Sequence, residues 1–102
     1  MIYRVRPMAL ERGKASAARE VSVKAAAYIG RNYPGIQVEI LENVTGLRNQ
    51  IHMVTRCESL AALETYEAQR QDDAEWQALL EEYTGLDAVT ETVDWLYRKV
   101  EA

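Results

Sequence analysis

The order of residue patterns along the chain is the feature that most constrains its fold. A short alternating strand is followed by a long helix, two strands, another helix and a final strand, all within 102 residues. A chain of this length is one domain of the commonest size. We therefore predict a single α+β domain spanning residues 1–102.

The first half of the chain predicts a strand, a helix and a hairpin. Residues 1–8 alternate Tyr3 and Val5 with Arg4 and Arg6, which is typical of a half-buried strand that either ends at Pro7 or presents that position at an edge. Residues 9–32 repeat apolar side chains at helical spacing and stop before Pro34. Two alternating segments then flank a turn, and their apolar members are Ile36, Val38, Ile40, Ile51 and Met53.

The second half predicts a helix with a break and a fourth strand. Ser59 is a suitable N-cap, and Asp72 with Glu75 has the spacing of a capping box, so we expect a kink or break near Asp72. Gly85 favours a helix stop. Residues 88–100 are rich in β-forming side chains, but their apolar members fall on both parities, so the facing of this strand is ambiguous.

This βαββαβ order is that of a ferredoxin-like plait. Right-handed crossovers place the first and third strands at the centre of a four-stranded antiparallel sheet, with both helices on one face. We expect the apolar set Tyr3, Val5, Ile36, Val38, Ile40, Ile51 and Met53 to meet the helices. The opposite, open face would carry the polar set Arg4, Arg6, Gln37, Glu39, Gln50 and His52.

Composition excludes several classes of function. The net charge is −4 and the basic residues are scattered, which disfavours nucleic-acid and anionic membrane partners. No apolar run is long enough to span a bilayer and no leader precedes the first strand, so we predict a cytoplasmic protein.

Cys57 is the only cysteine, which excludes an internal disulfide and favours a buried structural thiol. We predict no metal site and no cofactor.

Candidate site residues lie on the predicted open face. His52 is the only histidine and would serve as a general base, with Glu39 on the neighbouring strand as its orienting carboxylate; the alternative is a structural, hydrogen-bonded histidine. Arg4 and Arg6 would clamp a carboxylate or phosphate, or instead pair with carboxylates. Gln50 shares this face, and Tyr97 would favour an apolar or planar ligand if it lines a cavity.

The segment Asp73–Gln77, followed by Leu79 and Leu80, and the closing Leu96–Arg98 resemble the dimeric α+β barrel superfamily. Within it, the Glu-Trp-Gln segment is most similar to NIPSNAP-like proteins and their monooxygenase-like relatives, with Ala74 in place of a proline. The resemblance implies a homodimer whose two sheets form a barrel, with small-molecule pockets between sheet and helices. Superfamily members that are enzymes include cofactor-free oxygenases and haem-degrading enzymes, but a single histidine and no phenylalanine argue against a haem pocket or an aromatic substrate cage here.

Two hypotheses follow, and whether the protein is an enzyme stays open between them. In the first, a small dimeric barrel binds an organic molecule between sheet and helices, with cofactor-free monooxygenase-like activity. In the second, the protein is a structural or regulatory homodimer without chemistry.

Overall fold

The computed structural model describes residues 1–101 as a single antiparallel sheet with helices packed on one side. The strands are β1 (Ile2–Leu10), β2 (Gln37–Glu42), β3 (Gln50–Cys57), β4 (Val89–Thr92) and β5 (Trp95–Arg98). The helices are α1 (Ala15–Asn32), α2 (Leu60–Arg70) and α3 (Ala74–Gly85).

The predicted sheet order is confirmed. β1 and β3 are the central strands, β2 flanks β3, and both β4 and β5 pair with the outer side of β1. All four pairings are antiparallel. The sheet therefore has the predicted plait topology, with its last strand divided into two.

β1 extends past its predicted end and the predicted fourth strand is interrupted, and of the two outcomes predicted at Pro7, the end of the strand or an edge position, the structure has the second. β1 continues through Pro7 to Leu10, and the predicted fourth strand is interrupted between Thr92 and Trp95. β5 pairs with β1 up to Val5 and β4 pairs from Met8 onward, so Pro7 lies opposite the gap between them. A proline is tolerated inside a strand where the ladder is interrupted, because it has no N–H to donate.

The predicted helix cap at Ser59 and the predicted break in the second helical region are confirmed, but the break lies one residue later than expected. Ser59 caps α2, since its hydroxyl accepts a hydrogen bond from the Ala62 N–H at 3.1 Å. The break in the second helical region is present, but Asp73 rather than Asp72 is the N-cap of α3. The Asp73 carboxylate accepts from the Trp76 N–H at 3.1 Å, three residues ahead, which is the geometry of an N-cap.

The core lies between the sheet and the three helices, in two clusters. The larger joins Ile2 and Cys57 of the sheet to Ile29 of α1, Leu63 of α2 and Trp76 of α3. The smaller cluster is built from Met8, Leu10, Ala18, Ile51 and Ala88. Cys57 is buried as predicted, with its Sγ 3.4 Å from the Ser59 carbonyl oxygen.

The predicted facing of β1 was wrong. Ile2, Arg4, Met8 and Leu10 are the buried residues of this strand, so its even-numbered side chains face the helices and Tyr3 and Val5 lie on the open face. The predicted facing of β2 and β3 was correct, because Ile51 packs in the core and Ile40 and Met53 pack against it. The register confirms the assignment, since Arg4 lies opposite Thr55 and Tyr3 opposite Arg56.

Candidate functional site

A cavity of about 90 Å³ lies between the sheet and the helices, and we call it the sheet–helix chamber. Its walls are mostly apolar, and these wall residues are Met8, Ala25, Met53, Trp76, Leu79 and Leu80. Its polar lining residues are Arg6, Ser22, Arg70 and Tyr83. Because β1, β3, α1, α2 and α3 each contribute at least one of these side chains, the chamber exists only in the assembled fold.

Two polar groups at the chamber have no hydrogen-bond partner among residues 1–101. Ser22 of α1 is only 1% exposed, and its Oγ is unpaired. The Tyr83 hydroxyl donates to the Met8 Sδ, at 3.0 Å, and lies near enough to the Ser22 hydroxyl to interact with it, although not in the geometry of a hydrogen bond. Arg70, in the last turn of α2, has a buried Nε that donates to no acceptor. Buried polar groups are normally satisfied, so a pair of exceptions lining one cavity calls for an explanation.

The Arg70 guanidinium lies over two aromatic rings. Its Cζ lies 4.4 Å from the ring centroid of Tyr66 and 4.9 Å from that of Trp76. Burial lowers the pKa of Arg70, because a guanidinium loses hydration in this position. Among the ion pairs within residues 1–101, none involves Arg70.

Arg4 and Arg6 also lie on the chamber side of the sheet, and each has a carboxylate partner. Arg4, which is 6% exposed, pairs with Glu67 of α2. Arg6 binds Asp94 with two hydrogen bonds, from Nε to Oδ1 at 2.5 Å and from an Nη to Oδ2 at 2.8 Å. This contact lowers the pKa of Asp94 and raises the pKa of Arg6. Asp94 lies in the interruption between β4 and β5, so that break positions the partner of Arg6.

The chamber shares Arg6, Met8, Leu80 and Tyr83 with a larger outer cleft of about 470 Å³. The cleft continues along Val89, Val93 and Asp94 to the surface. Ligand sites usually have about 300–1,000 Å³, so the chamber suits one functional group and the cleft supplies room for the rest of a molecule.

A hydrogen-bonded cluster fixes the start of α3, the helix that contributes Trp76 and Leu79 to the chamber. The Asp73 carboxylate accepts from the Tyr28 hydroxyl at 2.7 Å and from the Tyr33 hydroxyl, as well as from the Trp76 N–H. The two tyrosine hydroxyls hold the pKa of Asp73 below its usual value. In turn, the Asp73 contact raises the pKa of Tyr28, and burial together with this contact raises the pKa of Tyr33 to about 12. The cluster therefore ties the end of α1 to α3.

The open face of the sheet is more apolar than predicted. Tyr3 and Val5 of β1 lie beside Tyr97 and Trp95 of β5, and Val54 of β3 lies opposite Val5. Trp95 is 50% exposed and Tyr97 is 53% exposed. Leu41 at the β2 edge shares this face and is 47% exposed. Large apolar side chains left exposed on one continuous face are typical of an interaction surface.

His52 and Gln50 lie on the open face as predicted, and Asn43 joins them. The His52 Nε2 donates to the Asn43 Oδ1, and the Asn43 Nδ2 donates to the Gln50 Oε1 at 3.3 Å. Glu39 pairs instead with Arg56, with 2.8 Å between Oε1 and an Nη. The partner that orients His52 in this structure is therefore Asn43.

The structure divides the predicted site residues between the two faces. Arg4 and Arg6 lie under the helices, and His52, Gln50, Glu39 and Tyr97 lie on the open face. Sequence reasoning missed Ser22 and Arg70. Ser22 did carry a signal, because it falls on the same helical stripe as Ala18, Ala25 and Ile29. Arg70 carried none, since an arginine in the last turn of a helix usually reaches into solvent.

Residues 1–101 contain neither a metal cluster nor a membrane span. Within this part of the chain, no group of three or more His, Cys, Asp or Glu side chains is arranged to hold a metal ion. Over the same residues, no helix combines the length and the hydropathy needed to cross a bilayer.

Comparison with solved structures identifies the fold. A NIPSNAP domain protein from Burkholderia xenovorans matches with a TM-score of 0.82 and 12% identity, over 98% of this chain and 95% of that one. A putative antibiotic biosynthesis monooxygenase from Deinococcus radiodurans matches with a TM-score of 0.75 and 16% identity, over 100% and 95%. A point mutant of SnoaB, a cofactor-independent oxygenase from Streptomyces nogalater, matches with a TM-score of 0.71 and 17% identity, over 99% and 94%.

No protein-family model and no curated protein matches the sequence. At identities this low, the structural matches establish the fold. The chain thus has the ferredoxin-like fold shared by the NIPSNAP and monooxygenase-like structures, which confirms the predicted resemblance at the level of the fold.

Proposed function

We propose that this protein binds a small organic molecule in the sheet–helix chamber. The observation that carries the proposal is the chamber itself, in which the unpaired Ser22 Oγ and Arg70 Nε lie among apolar walls. An apolar pocket with a few converging polar groups is the usual form of a small-molecule site. The outer cleft gives the molecule a route in and room for its body.

The working unit in this proposal is a homodimer formed through the open faces of two sheets. The exposed Trp95, Tyr97 and Leu41 support it, because a single sheet face carrying this much apolar surface is better buried against another. In such a dimer His52, Gln50, Glu39 and Tyr97 would lie at the interface between the two sheets. No further observation supports the catalytic roles predicted for His52 and Glu39. Because Arg4 and Arg6 already pair with carboxylates, Arg70 is the arginine that we propose binds the ligand.

Monooxygenase-like activity is the finer hypothesis for the same chamber. A fixed guanidinium would stabilise negative charge that develops on a substrate, which is one requirement for oxygenation without a cofactor. The chamber contributes no histidine, and the nearby Asp94 carboxylate is engaged by Arg6. Binding is therefore the function that the geometry supports best. Oxygen uptake in the presence of a bound molecule is the assay for monooxygenase-like activity.

Native mass spectrometry tests the binding site and the dimer together. We expect the purified protein to appear as a dimer that carries a discrete additional mass. Ala25→Leu fills the chamber and should remove that mass, whereas Ala27→Leu adds the same atoms to the exposed side of α1 and should keep it. Circular dichroism would verify that both variants are folded.

Two results would contradict the proposal. A bound mass that survives Ala25→Leu but disappears in His52→Ala would place the ligand on the open face. A folded monomer would contradict the dimer. A dimer that carries no added mass and binds no organic probe would favour the non-catalytic homodimer, which the apolar open face supports independently of the chamber.

A further inference from the structure

The charged groups around the chamber do not balance. Three guanidinium groups, those of Arg4, Arg6 and Arg70, act on one another across the chamber side of the sheet, and Glu67 and Asp94 are the carboxylates that face them. Glu67 pairs with Arg4 and Asp94 with Arg6, so the positive charge of Arg70 is left over. Removing a charge from water without a partner is unfavourable, and an anion would restore the balance.

The position of Arg70 leaves its donor edge free for an anion. The guanidinium lies over the rings of Tyr66 and Trp76, and its Nε has no acceptor. The N–H donors of a guanidinium lie in its plane, in the fork that matches the two oxygens of a carboxylate. The two rings attract the cation but supply no negative charge to neutralise it.

Ser22 supplies a second donor from a different helix. Its hydroxyl comes from α1, whereas Arg70 comes from α2, and both line the same 90 Å³ chamber. The Ser22 side chain is buried, and its hydroxyl lies near Tyr83 but forms no hydrogen bond of good geometry among residues 1–101, so it gains one when an acceptor arrives.

We propose that the ligand of the chamber is an organic monoanion, a carboxylate on an apolar or aromatic body, with its charge held by Arg70 and Ser22. This inference rests on the proposed function and specifies its ligand class. The single unbalanced guanidinium matches one negative charge, and the apolar walls formed by Met53, Trp76 and Leu79 disfavour a strongly hydrated dianion such as a phosphate monoester. The body of the ligand extends into the outer cleft, along Leu80 and Val93.

Pairs of acids and their neutral amides test the charge requirement. The probes are benzoate, 2-naphthoate and hexanoate, each compared with the corresponding amide, and binding is measured by isothermal titration calorimetry at pH 7. The indole N–H resonance of Trp76 reports the site in ¹⁵N NMR spectra, and Trp95→Phe assigns it, because the chain has only two tryptophans. We expect at least one acid to bind, to shift the Trp76 resonance, and to bind about tenfold or more tightly than its amide.

Three variants locate the charge that is recognised. Arg70→Met should weaken acid binding by about tenfold or more and leave amide binding unchanged, whereas Arg70→Lys should retain an intermediate affinity. Ser22→Ala should weaken acid binding by about threefold to tenfold. Arg12→Met is the matched control, because Arg12 is exposed and forms no ion pair among residues 1–101, and it should change nothing.

The outcomes separate this inference from the proposal on which it rests. Amides that bind as tightly as the acids and shift Trp76 would keep the chamber as a binding site and overturn the anionic ligand. Acid binding that is unaffected by Arg70→Met would overturn the role of Arg70. If none of the six probes binds, this inference is overturned, whereas the proposed function is overturned only if the native mass spectrum also shows no added mass that Ala25→Leu removes.

Discussion

The two faces of the sheet differ in the kind of side chain that each one carries. Under the helices, the sheet presents Arg4 and Arg6, and α2 adds Arg70. On the open face, the same central strand presents Tyr3 and Val5, next to Trp95 and Tyr97 of β5. The arginines of β1 therefore lie on the covered face, whereas its Tyr3 and Val5 join exposed aromatic side chains on the open face, which also carries the Glu39–Arg56 ion pair.

This difference underlies the two proposed uses of the sheet. Arginines that lose part of their hydration, as Arg4 does fully and Arg6 and Arg70 do in part, are stable where carboxylates or a ligand offset the loss, and Glu67 and Asp94 account for two of the three. Contact of exposed aromatic side chains with water is unfavourable, and a partner that covers them removes this cost. The covered face therefore suits a ligand and the open face suits a second copy, and each use can be disturbed without the other.

The largest expected effect is the loss of the dimer on placing a charge on the open face. Trp95→Asp should raise the dissociation constant of the dimer by about 30-fold or more, since a buried interface aromatic often contributes about 2 kcal/mol. Analytical ultracentrifugation over a dilution series measures the constant.

The adjacent residue provides the control for this prediction. Leu96 is 55% exposed and lies on the other side of the same strand, opposite Arg4. Leu96→Asp should leave the dimer intact. Equal dissociation by both variants would mean that the identity of the face does not matter.

The next largest effect concerns the covered face. Glu67→Gln removes the charge that neutralises Arg4, whose side chain is almost fully buried. Because Glu67 itself is partly exposed and screened, we expect a loss of about 1–2 kcal/mol in the free energy of unfolding. Urea denaturation at pH 7 measures it. Glu64→Gln on the exposed side of α2 should change the free energy by less than about 0.5 kcal/mol, and a similar loss in both variants would show that Arg4 does not depend on Glu67.

A smaller effect on stability tests the Asp73 cluster, and its pH dependence appears at the acid and alkaline extremes. The pKa of Asp73 is lowered in the folded protein, so its stabilising contribution is present above the ordinary value near 3.8 and is lost as the pH falls through the folded value. The pKa of Tyr33 is raised to about 12, so its contribution is present below pH 10 and is lost as the pH rises toward 12. Asp73→Asn should therefore flatten the acid side of the melting-temperature profile, and Tyr33→Phe the alkaline side.

Asp72→Asn is the control for the cluster, because Asp72 is exposed beside the cap. Its profile should follow that of the unmodified protein. An Asp73→Asn profile that keeps the full acid dependence would exclude Asp73 as its source. Neither Asp73→Asn nor Tyr33→Phe should alter the dissociation of the proposed dimer at pH 7, since the cluster lies on the covered side of the sheet.

The smallest expected effect is on the stability of the chamber without ligand. Ser22→Ala removes a buried hydroxyl that has no partner among residues 1–101, so the free energy of unfolding should stay within about 0.5 kcal/mol or rise slightly. Thermal and urea denaturation measure it, with Ser16→Ala on the exposed side of α1 as the control. A loss of about 1 kcal/mol or more, on the scale of a hydrogen bond, would show that Ser22 is already satisfied without a ligand.

Local patterns predicted most of the fold, and the candidate site was predicted only in part. The Ser59 cap and the break before α3 follow from interactions between residues close in sequence, and the strand order follows from the element order and the right-handedness of crossovers. The facing of β1 does not, because alternation groups Tyr3 with Val5 and Arg4 with Arg6 but leaves open which group is covered. Hydrophobicity alone favoured the wrong group, since it takes no account of Glu67 and Asp94, which are 63 and 88 residues away from their arginine partners.

The sequence by itself determined the element order, the central pairing of the first and third strands and the buried thiol of Cys57, since each depends on periodicity, turn residues or composition. Only the tertiary structure decided that the arginines of β1 are covered, that Asp94 interrupts the last strand to meet Arg6, and that Ser22 and Arg70 line one chamber. These features depend on charges and side chains from distant segments meeting in space. A desolvated charge is stable only with a partner, and the identity of that partner is a property of the assembled fold.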